Sequence, residues 1–395
     1  MTVSTIVVSG ASMAGLRAAE ELRAQGFDGQ LVLVGDEPHL PYDRPPLSKH
    51  VLGGKQEPDA IVLTVPGEGG LDGLAIDWEL GRRVTALDAA SRTVTLDDGR
   101  PLPFQGLVIA TGATPRRLPG WPDADGVYVL RTVDDCLALR TDLDATPSRI
   151  VVVGAGFIGA EVAATCRGRG LDVTLLEALP VPLARGLGEE MGRVCADVHR
   201  DHEVDLRLSA LVDGIDVDGG GRVARLRLGN GDAVDADVVV VGVGVAPNTG
   251  WLDGSGLTVD DGVVCDETCL AGPGIVAAGD VARWPNRRYG ESMRVEHWEN
   301  AQEMGAHAAR TLLADVAGGR GEPYDPVPWF WSDQYDRKLQ LVGRSRADAE
   351  VTVEQGSVED RKFVAVYRQE GRPVAALGMN MPAAVMRWRA QLQDS

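Results

Sequence analysis

Continuous runs of apolar, often β-branched residues predict buried strands of a parallel sheet in two similar segments of the chain. The runs Ile6–Val8 and Ile150–Val153 each precede a glycine-rich turn, a stretch of helical pattern with small residues, and a second apolar run. Apolar strands joined by a helix are typical of a βαβ unit whose sheet is covered on both faces. The chain is therefore predicted to contain the same supersecondary unit twice.

The two predicted units have similar lengths. In the first, the helix extends to about Gln25 and the second strand is Leu31–Val34. In the second, the helix extends to about Arg169 and the second strand is Val173–Leu176. The start of each helix directs free backbone N–H groups and the positive end of the helix dipole at the turn. Each turn is therefore a candidate anion-binding site.

Further segments follow each unit in the same order. Alternating polar and apolar positions predict a small antiparallel insertion, after which comes a continuous apolar strand that ends in a turn. These segments are Arg82–Leu87, Thr93–Leu96 and Gly106–Gly112 in the first half, and Arg222–Leu228 and Asp237–Val245 in the second.

The last third of the chain has a different pattern. A buried strand at Gly272–Asp280 precedes a helix at about Asn300–Asp315 and a linker rich in Gly and Pro at Ala317–Pro328. Alternation over Trp331–Met379 predicts a short antiparallel sheet, and a helix is predicted near Pro382–Gln393. This part is expected to form a separate small α+β domain.

Composition and charge narrow the classes of function. The chain has 395 residues, of which 44% are hydrophobic, and its 39 basic and 58 acidic residues give a net charge of −19. A negative field disfavours nucleic acids and anionic membranes as partners. The apolar run Val238–Val245 is far shorter than the ~20 residues that span a bilayer, and Met1 leads directly into a strand, so a cytoplasmic protein without a signal peptide is expected.

The cysteines do not indicate a disulfide framework or a metal site. They are scattered and odd in number, so reduced thiols are expected, and no second Cys or His pair lies near Cys265 and Cys269 to complete a metal site. A redox couple formed by this pair is an open alternative. The five are Cys136, Cys166, Cys195, Cys265 and Cys269.

The second glycine turn matches a dinucleotide-binding pattern in full. Gly154, Gly156 and Gly159 supply its three glycines, and Glu177 ends the next strand, 18 residues after the last of them. A carboxylate at that place can accept both ribose hydroxyls of adenosine and repels a 2′-phosphate. NADH is therefore expected in preference to NADPH. Close helix–strand packing without a ligand is the alternative explanation of the glycines.

The first glycine turn departs from that pattern. Ser12 occupies the place of the second glycine between Gly10 and Gly15, and Gly35 shifts the first carboxylate to Asp36. The Cβ of Ser12 crowds a pyrophosphate, although its hydroxyl could donate to a phosphate oxygen. A dinucleotide is still favoured, and two such sites in one chain suggest FAD together with a nicotinamide that reduces it.

Six motifs carry a family resemblance across nearly the whole chain. They are Gly35–Pro38, Pro41–Lys49, Ala110–Arg116, Leu130–Thr132, Ile275–Asp280 and Trp331–Gln334. In this order they resemble the FAD-dependent NADH–ferredoxin reductases of oxygenase systems. The resemblance implies an α/β fold with two Rossmann-like dinucleotide-binding domains and a small carboxy-terminal α+β domain. The implied domains are an FAD-binding domain of residues 1–114 and 243–318, an NAD-binding domain of residues 115–242, and the carboxy-terminal domain of residues 319–395.

The resemblance also implies the residues that bind FAD. Ala14 and Gly15 would lie at the pyrophosphate and Asp36 at the adenosine ribose. The others would be Lys49 beside the flavin ring, Arg44 near the phosphates, Val84 at the adenine, Arg131 along the cofactor, Asp280 at the ribityl chain, Trp298 at the ring through its backbone, and Gly10, Ser12, Ala110, Thr111 and Gly112.

A second set would bind NADH. Its members would be Gly154, Gly156, Ile158 and Gly159 at the pyrophosphate, Glu161 at the nicotinamide, Glu177 at the adenosine end, and Arg185. Lys49, Glu161 and Trp331 are the predicted catalytic residues. Ordinary alternatives are a solvated Lys49, a Glu161 stabilised by the helix dipole and a Trp331 in a core, while Asp280 could also be a helix N-cap.

The implied reaction is hydride transfer from NADH to FAD, followed by single-electron transfers to an iron–sulfur ferredoxin. The ferredoxin would supply a haem monooxygenase or a ring-hydroxylating dioxygenase. Residues 40–70 contain no cysteine, which argues against a dithiol relay. An NADH oxidase or diaphorase, and a redox-sensing flavoprotein that responds to NADH, are the alternatives, and both a monomer and a homodimer are open.

A ferredoxin is usually acidic, so a reductase with this net charge would need a local basic patch to attract it. The candidates are Arg287, Arg288 and Arg294, supported by Arg337 and Lys338. Scattered, solvated charges are the alternative.

Overall fold

The structure is a computed structural model that describes residues 4–67, 69–346 and 348–394. Its helices are α1 (Met13–Ala24), α2 (Val133–Asp144), α3 (Phe157–Gly168), α4 (Ala184–Asp201), α5 (Trp298–Val316) and α6 (Pro382–Asp394). The strands up to residue 128 are β1 (Thr5–Ser9), β2 (Gln30–Gly35), β3 (Asp77–Leu80), β4 (Val84–Asp88), β5 (Thr93–Leu96), β6 (Pro101–Pro103), β7 (Gly106–Ile109), β8 (Ala113–Pro115) and β9 (Val127–Tyr128).

The remaining strands fall into two groups along the chain. The first group is β10 (Ile150–Val153), β11 (Val173–Leu176), β12 (Asp205–Arg207), β13 (Val212–Val217), β14 (Val223–Leu228), β15 (Ala233–Asp235), β16 (Val238–Val241) and β17 (Val245–Pro247). The second group is β18 (Val263–Val264), β19 (Leu270–Gly272), β20 (Ile275–Ala277), β21 (Ala282–Asn286), β22 (Glu291–Met293), β23 (Trp329–Gln334), β24 (Arg337–Gly343), β25 (Glu350–Ser357), β26 (Lys362–Gln369) and β27 (Arg372–Met379).

The chain forms two compact units, and each is assembled from three stretches of sequence. The first unit consists of Met1–Asp43, Val62–Thr114 and Ala246–Pro328. The second consists of Arg44–Ile61, Pro115–Val245 and Trp329–Ser395. The division into three domains with the boundaries given above stays a prediction.

The first unit is built on a six-stranded sheet in the order β19-β20-β7-β1-β2-β3. Its central strand β1 runs parallel to both β2 and β7, which gives the first predicted βαβ unit. Helices α1 and α5 pack closely, since a Cβ on Gly305 would lie 2.3 Å from the carbonyl oxygen of Ala14. The predicted antiparallel insertion is the sheet β4-β5-β6, and β18-β21-β22 form a further small sheet.

The second unit contains a five-stranded parallel sheet in the order β12-β11-β10-β16-β9. A capping box between Thr132 and Asp135 begins α2 and satisfies two of the backbone donors at that helix start. The strands β13-β14-β15 form an antiparallel insertion, and β23-β24-β27-β26-β25 form the carboxy-terminal antiparallel sheet. Buried Met191 of α4 belongs to the same core as Phe363 and Leu377 of that sheet.

The predicted α/β fold, with two βαβ units and a small carboxy-terminal α+β part, is confirmed. Two details differ from the hydrophobic pattern. The single strand predicted at residues 237–245 is divided into β16 and β17, because Gly244 adopts a φ of +97° between them. Helices α2 and α4 were not predicted, and α4 contains a kink at Gly188, where φ is +75°.

Candidate functional site

The first glycine turn joins β1 to α1 in the first unit. Gly10 has a φ of +123°, and a Cβ there would lie 2.0 Å from the carbonyl oxygen of Ala110, so only glycine fits. A Cβ on Gly15 would lie 1.9 Å from the carbonyl oxygen of Gly10. Ser12 precedes the helix without a side-chain capping bond, and within the described residues its hydroxyl has no hydrogen-bond partner. Packing therefore explains both glycines, while the Ser12 hydroxyl is available to an anion.

Two acidic residues, Asp36 and Glu37, directly follow the carboxyl end of β2. Asp36 is exposed and lies 3.7 Å from Arg83, which directly precedes the buried Val84 of β4. The next carboxylate, Glu37, accepts a hydrogen bond from the Tyr42 hydroxyl. The ion pair thus brings together the ends of β2 and β4, where Asp36 and Val84 are the residues predicted for adenosine.

The turn after β7 is fixed by an asparagine that the motifs did not indicate. Thr111 Oγ1 donates to the carbonyl oxygen of Asn248 at 2.9 Å, and Asn248 Nδ2 donates to the carbonyl oxygen of Thr111 at 2.8 Å. Gly112 follows with a φ of +66°. Asn248 lies 137 residues from Thr111 in sequence, so no local pattern signals the contact. The predicted segment Ala110–Gly112 is therefore a rigid turn at the end of a buried strand.

Asp280 and Trp298 occupy the ends of two elements in the first unit. Asp280 is the middle residue of a short 3-10 turn, Gly279–Val281, whose N-cap is Ala278. Its alternative role as a helix N-cap is therefore not what the structure shows. Trp298 begins α5, and its indole Nε1 donates to Asp43 Oδ1 at 2.6 Å. Because the indole N–H is engaged by Asp43, a contact of Trp298 with a ligand ring through its backbone remains the fitting expectation.

The second glycine turn joins β10 to α3 in the second unit. A Cβ on Gly154 would lie 2.4 Å from the carbonyl oxygen of Gly242, and one on Gly159 would lie 1.9 Å from the carbonyl oxygen of Gly154. In contrast, a Cβ on Gly156 would meet no atom within 4 Å. Ile158 is 45% exposed beside it. The first and third glycines are needed for packing, whereas the second borders open space at the start of a helix.

Glu177 supports this turn from the end of β11. Its Oε2 accepts the Ala155 N–H at 2.7 Å, and its Oε1 accepts the Leu179 N–H at 2.8 Å. Each carboxylate oxygen can accept a further hydrogen bond. The carboxylate therefore fixes the turn directly, and its predicted contact with ribose hydroxyls would use the remaining acceptor capacity.

Two of the predicted arginines are linked and a third is separate. Arg44 Nη1 donates to the carbonyl oxygen of Arg131 at 2.6 Å, and the Arg131 N–H donates to Asp135 Oδ2 at 3.0 Å. Arg185 lies exposed near the start of α4, where it forms no ion pair with any residue that the structure describes. Its guanidinium is thus available to an anion.

A buried ion pair lies in the second unit between the short turn Pro45–Ser48 and α3. Lys49 Nζ lies 2.7 Å from Glu161 Oε2, and the two side chains are only 11% and 3% exposed. The same Oε2 accepts the Ser48 hydroxyl at 2.5 Å, and Lys49 Nζ also donates to the carbonyl oxygen of Pro45 at 3.1 Å. An ammonium has three donors. Within the described residues, the third donor of Lys49 has no partner.

One face of β23 completes this cluster. The Phe330 ring packs 4.4 Å from the Phe157 ring, and two residues later Ser332 Oγ donates to Glu161 Oε1 at 2.7 Å. Phe330 and Ser332 are two residues apart on a strand, and their partners Phe157 and Glu161 are four apart on a helix. Both spacings are about 6–7 Å along the axis, so each residue of β23 lies opposite its partner on α3. Gln334 Nε2 then donates to Ser332 Oγ at 3.1 Å. Ser48 and Ser332 were not predicted, although each lies inside a motif.

Trp331 lies on the opposite face of β23 from Ser332, because successive side chains of a strand alternate. Its ring centroid is 5.4 Å from that of Trp329. The structure thus brings together two of the predicted catalytic residues, Lys49 and Glu161. The catalytic role of Trp331 stays a prediction.

The basic residues proposed for partner docking are largely paired within their own units. Arg287 lies 2.6 Å from Asp325, Arg294 lies 2.6 Å from Glu296 and 3.4 Å from Asp261, Arg337 lies 2.8 Å from Asp336, and Lys338 lies 3.0 Å from Asp333. Four of the five charges are therefore locally neutralised, which weakens their attraction for an acidic partner.

The cysteines do not form a reactive group. All five are free and buried. Burial raises the pKa of the Cys136 and Cys265 thiols to about 12 and that of Cys269 well above its ordinary value. A redox couple between Cys265 and Cys269 is therefore disfavoured, because the thiolate is the reactive form.

The described residues show neither a metal-binding cluster nor a membrane-spanning helix. Among them, no cluster of three or more His, Cys, Asp and Glu side chains is arranged to hold a metal ion. No helix in the described ranges combines the length and the apolar character needed to cross a bilayer.

Comparison with known proteins gives a consistent assignment. The chain is 41% identical over 363 residues to rhodocoxin reductase of Rhodococcus erythropolis, covering 91% of this chain and 82% of that protein. It is 40% identical to the ferredoxin–NAD(+) reductase component of the p-cumate 2,3-dioxygenase system of Pseudomonas putida, covering 86% of this chain and 81% of that protein. Among solved structures, putidaredoxin reductase in its covalent complex with putidaredoxin superposes with a TM-score of 0.92 at 33% identity, covering 99% of this chain and 93% of that one.

Two family descriptions divide the chain. "Pyridine nucleotide-disulphide oxidoreductase" matches residues 4–305, and "Reductase C-terminal" matches residues 329–395. The resemblance predicted from the motifs is confirmed by these matches and by the relatives. The chain therefore belongs to the pyridine nucleotide-disulphide oxidoreductase family and carries the reductase-type carboxy-terminal domain.

Proposed function

We propose that this protein is a ferredoxin reductase that oxidises NADH through a bound FAD and passes electrons singly to an iron–sulfur ferredoxin. The observation that carries the proposal is the presence of a glycine turn of dinucleotide-binding geometry in each of the two units. Among the relatives described above, one is named as the ferredoxin–NAD(+) reductase component of a dioxygenase system, and another is a reductase solved in a complex with its protein partner putidaredoxin. An oxygenase of the haem or ring-hydroxylating class is the proposed final acceptor.

The residues present fit both cofactors. At the first turn, the Ser12 hydroxyl and the start of α1 offer donors to a pyrophosphate. At the second turn, the open space over Gly156 leaves room for a phosphate to approach the start of α3. Bound FAD would supply the conversion between two-electron and one-electron transfer, and NADH would supply the hydride. The protein supplies binding, orientation and charge.

The Lys49–Glu161 pair is the proposed electrostatic element of the reaction. The third donor of Lys49 has no partner within the described residues, which fits a contact with a bound ring system. A fixed cation favours negative charge that develops beside it, most strongly where solvent is excluded. Glu161 keeps the ammonium in place and offsets the cost of burying it.

NADH is the proposed coenzyme because of Glu177. Its carboxylate is held beside the second turn by two backbone N–H groups, so it cannot easily move away from a bound ribose. A fixed negative charge there would repel a 2′-phosphate. A thiol relay to the substrate is not proposed, since all five cysteines are buried and free.

Cytochrome c reduction driven by NADH tests the proposal, measured on the FAD-loaded protein with and without a two-iron ferredoxin. Strong stimulation by the ferredoxin is expected. Rapid loss of NADH regardless of ferredoxin would instead identify an oxidase or diaphorase, and flavin bleaching without turnover would identify a redox sensor. Either result would overturn the proposed function. A cytoplasmic location is proposed alongside it, in keeping with the reduced thiols.

A further inference from the structure

We propose that Ser332 is a positioning residue, which orients the Glu161 carboxylate and through it the Lys49 ammonium. This inference rests on the proposed function, because it concerns the charge presented to the bound cofactors. It assigns a role in the reaction to the carboxy-terminal sheet, since Ser332 lies in β23 and Glu161 lies in α3.

The hydrogen bonds of Glu161 are divided unequally between its two oxygens. Oε2 accepts from both Lys49 Nζ and the Ser48 hydroxyl, at 2.7 and 2.5 Å. Within the described part of the chain, Oε1 accepts only from Ser332 Oγ, at 2.7 Å. The carboxylate is 3% exposed, so little water can replace a lost donor. Ser332 therefore determines how the carboxylate plane is rotated about its last bond.

The direction of the Ser332 hydrogen bond is fixed by its neighbour. Gln334 Nε2 donates to Ser332 Oγ at 3.1 Å, and both of these side chains are fully buried. An amide nitrogen cannot accept, so the single hydroxyl proton of Ser332 is directed to Glu161. The chain of donors runs from Gln334 through Ser332 to Glu161, and then meets the positive charge of Lys49.

The other side of the cluster is also anchored on α3. Thr165 lies one helical turn after Glu161, and its Oγ1 donates to the carbonyl oxygen of Ser48 at 2.7 Å. The backbone beside Lys49 is thus held independently of Ser332. Loss of the Ser332 hydroxyl should therefore free the carboxylate and the ammonium without releasing the turn that carries Lys49.

The test uses Ser332→Ala in the FAD-loaded protein with two readouts. Acylation of Lys49, followed by mass spectrometry, should become severalfold faster because a side chain that is less firmly held is reached by the reagent more often. Flavin reduction by NADH should slow by about tenfold, the size expected for one lost hydrogen bond to a charged group, with less than a twofold change in the Kd of NADH. Ser332→Thr, which keeps the hydroxyl, should restore both values towards those of the parent.

A matched control and a double-mutant cycle separate positioning from general destabilisation. Ser357 lies in the same sheet as Ser332, and its hydroxyl donates an exposed hydrogen bond of 2.8 Å to Glu359. Ser357→Ala removes this bond and should change neither readout. In a Glu161→Gln background, Ser332→Ala should have a much smaller effect than in the parent. If the alanine variant folds poorly, Ser332→Cys replaces the hydroxyl with a weak donor of similar size and is measured in its place.

Two results would overturn the inference: Lys49 acylation and flavin reduction unchanged within twofold, or equal effects of Ser332→Ala with and without Glu161. Failure of the proposed function has a different signature, because the flavin of the parent protein would then not be reduced by NADH or would not pass electrons to a ferredoxin. In that case the double-mutant cycle of Ser332 and Glu161, with Lys49 acylation as its readout, still decides the role of Ser332.

Discussion

Lys49 Nζ and Glu161 Oε2 lie 2.7 Å apart in an environment that excludes nearly all water. The two residues are separated by 112 positions in sequence, and the pair joins the turn after Pro45 to the first part of α3. A buried charge pair is costly to assemble, so its presence at the start of a dinucleotide-binding helix points to a role in chemistry rather than in folding alone.

Glu161→Gln should lower both stability and the rate of flavin reduction. The amide can still accept from Ser332, but Lys49 loses its counter-ion in a nearly dry site. The free energy of unfolding should fall by about 3 kcal/mol, measured by urea denaturation of the FAD-loaded protein. Asp333→Asn is the matched control, because it breaks an exposed pair with Lys338 and should cost less than about 1 kcal/mol. Equal losses in the two variants would contradict this account.

Alanine substitutions at two glycines of the second turn should affect different properties, folding at Gly159 and NADH binding at Gly156. Gly159→Ala would place a Cβ 1.9 Å from the carbonyl oxygen of Gly154, so it should prevent folding or lower the melting temperature severely. Gly156→Ala meets no protein atom and should cost at most about 1 kcal/mol as an N-cap change. It should nevertheless weaken NADH binding at least tenfold, measured by titration. Unchanged affinity would show that the open space over Gly156 is not the phosphate site.

Glu177→Ala should reduce the preference for NADH over NADPH. The variant removes the negative charge that repels a 2′-phosphate and also leaves the Ala155 N–H without its acceptor. The ratio of kcat/KM for the two coenzymes should fall by about tenfold, and NADH itself should bind more weakly. Glu177→Gln, which keeps an acceptor for the turn, should change the ratio with less effect on NADH. A ratio unaffected by either change would reject this role.

His199 should make the protein less stable in acid. Its ring is fully buried, with Nδ1 2.8 Å from the Tyr335 hydroxyl, and burial lowers its pKa to about 4. Because the folded pKa lies below the unfolded value of 6.5, its contribution is complete above pH 6.5 and is lost as the pH falls towards 4. Between pH 7 and pH 5, the free energy of unfolding of His199→Gln should therefore fall by about 2 kcal/mol less than that of the parent.

Urea denaturation at the two pH values measures this difference. His50→Gln, which replaces an exposed histidine, is measured beside His199→Gln as the matched control. A His199 variant whose stability changes with pH as much as that of the parent would show that another group is responsible.

The sequence predicts more of the fold than of the candidate site. The strands Ile6–Val8 and Ile150–Val153 were predictable because a strand buried on both faces needs an uninterrupted apolar run. Helix α4 was not predicted: its buried Leu187, Met191 and Val198 recur at helical spacing, but its start at Leu183 carries no side-chain N-cap and no acidic first turn to mark a helix. Local signals thus defined the βαβ units but not every helix that packs on them.

The candidate site was predictable only where a motif carried it. Lys49 and Glu161 were found through their motifs, whereas the partners that fix them were not. Ser332 lies 171 residues from Glu161, and no spacing rule relates a strand residue to a helix so distant in sequence. The basic patch stays a prediction; the pairing of Arg287 with Asp325, 38 residues away, had no local signal, whereas Asp336 is adjacent to Arg337.

The central claim is that electrons pass from NADH through bound FAD to a one-electron protein carrier. Anaerobic stopped-flow spectroscopy tests it most directly, with one equivalent of NADH added to the FAD-loaded protein in the presence of excess two-iron ferredoxin. The account predicts bleaching of the flavin, its return to the oxidised spectrum, and two reduced ferredoxin molecules for each NADH consumed. A flavin that stays reduced beside oxidised ferredoxin, and is reoxidised only when oxygen is admitted, would contradict it.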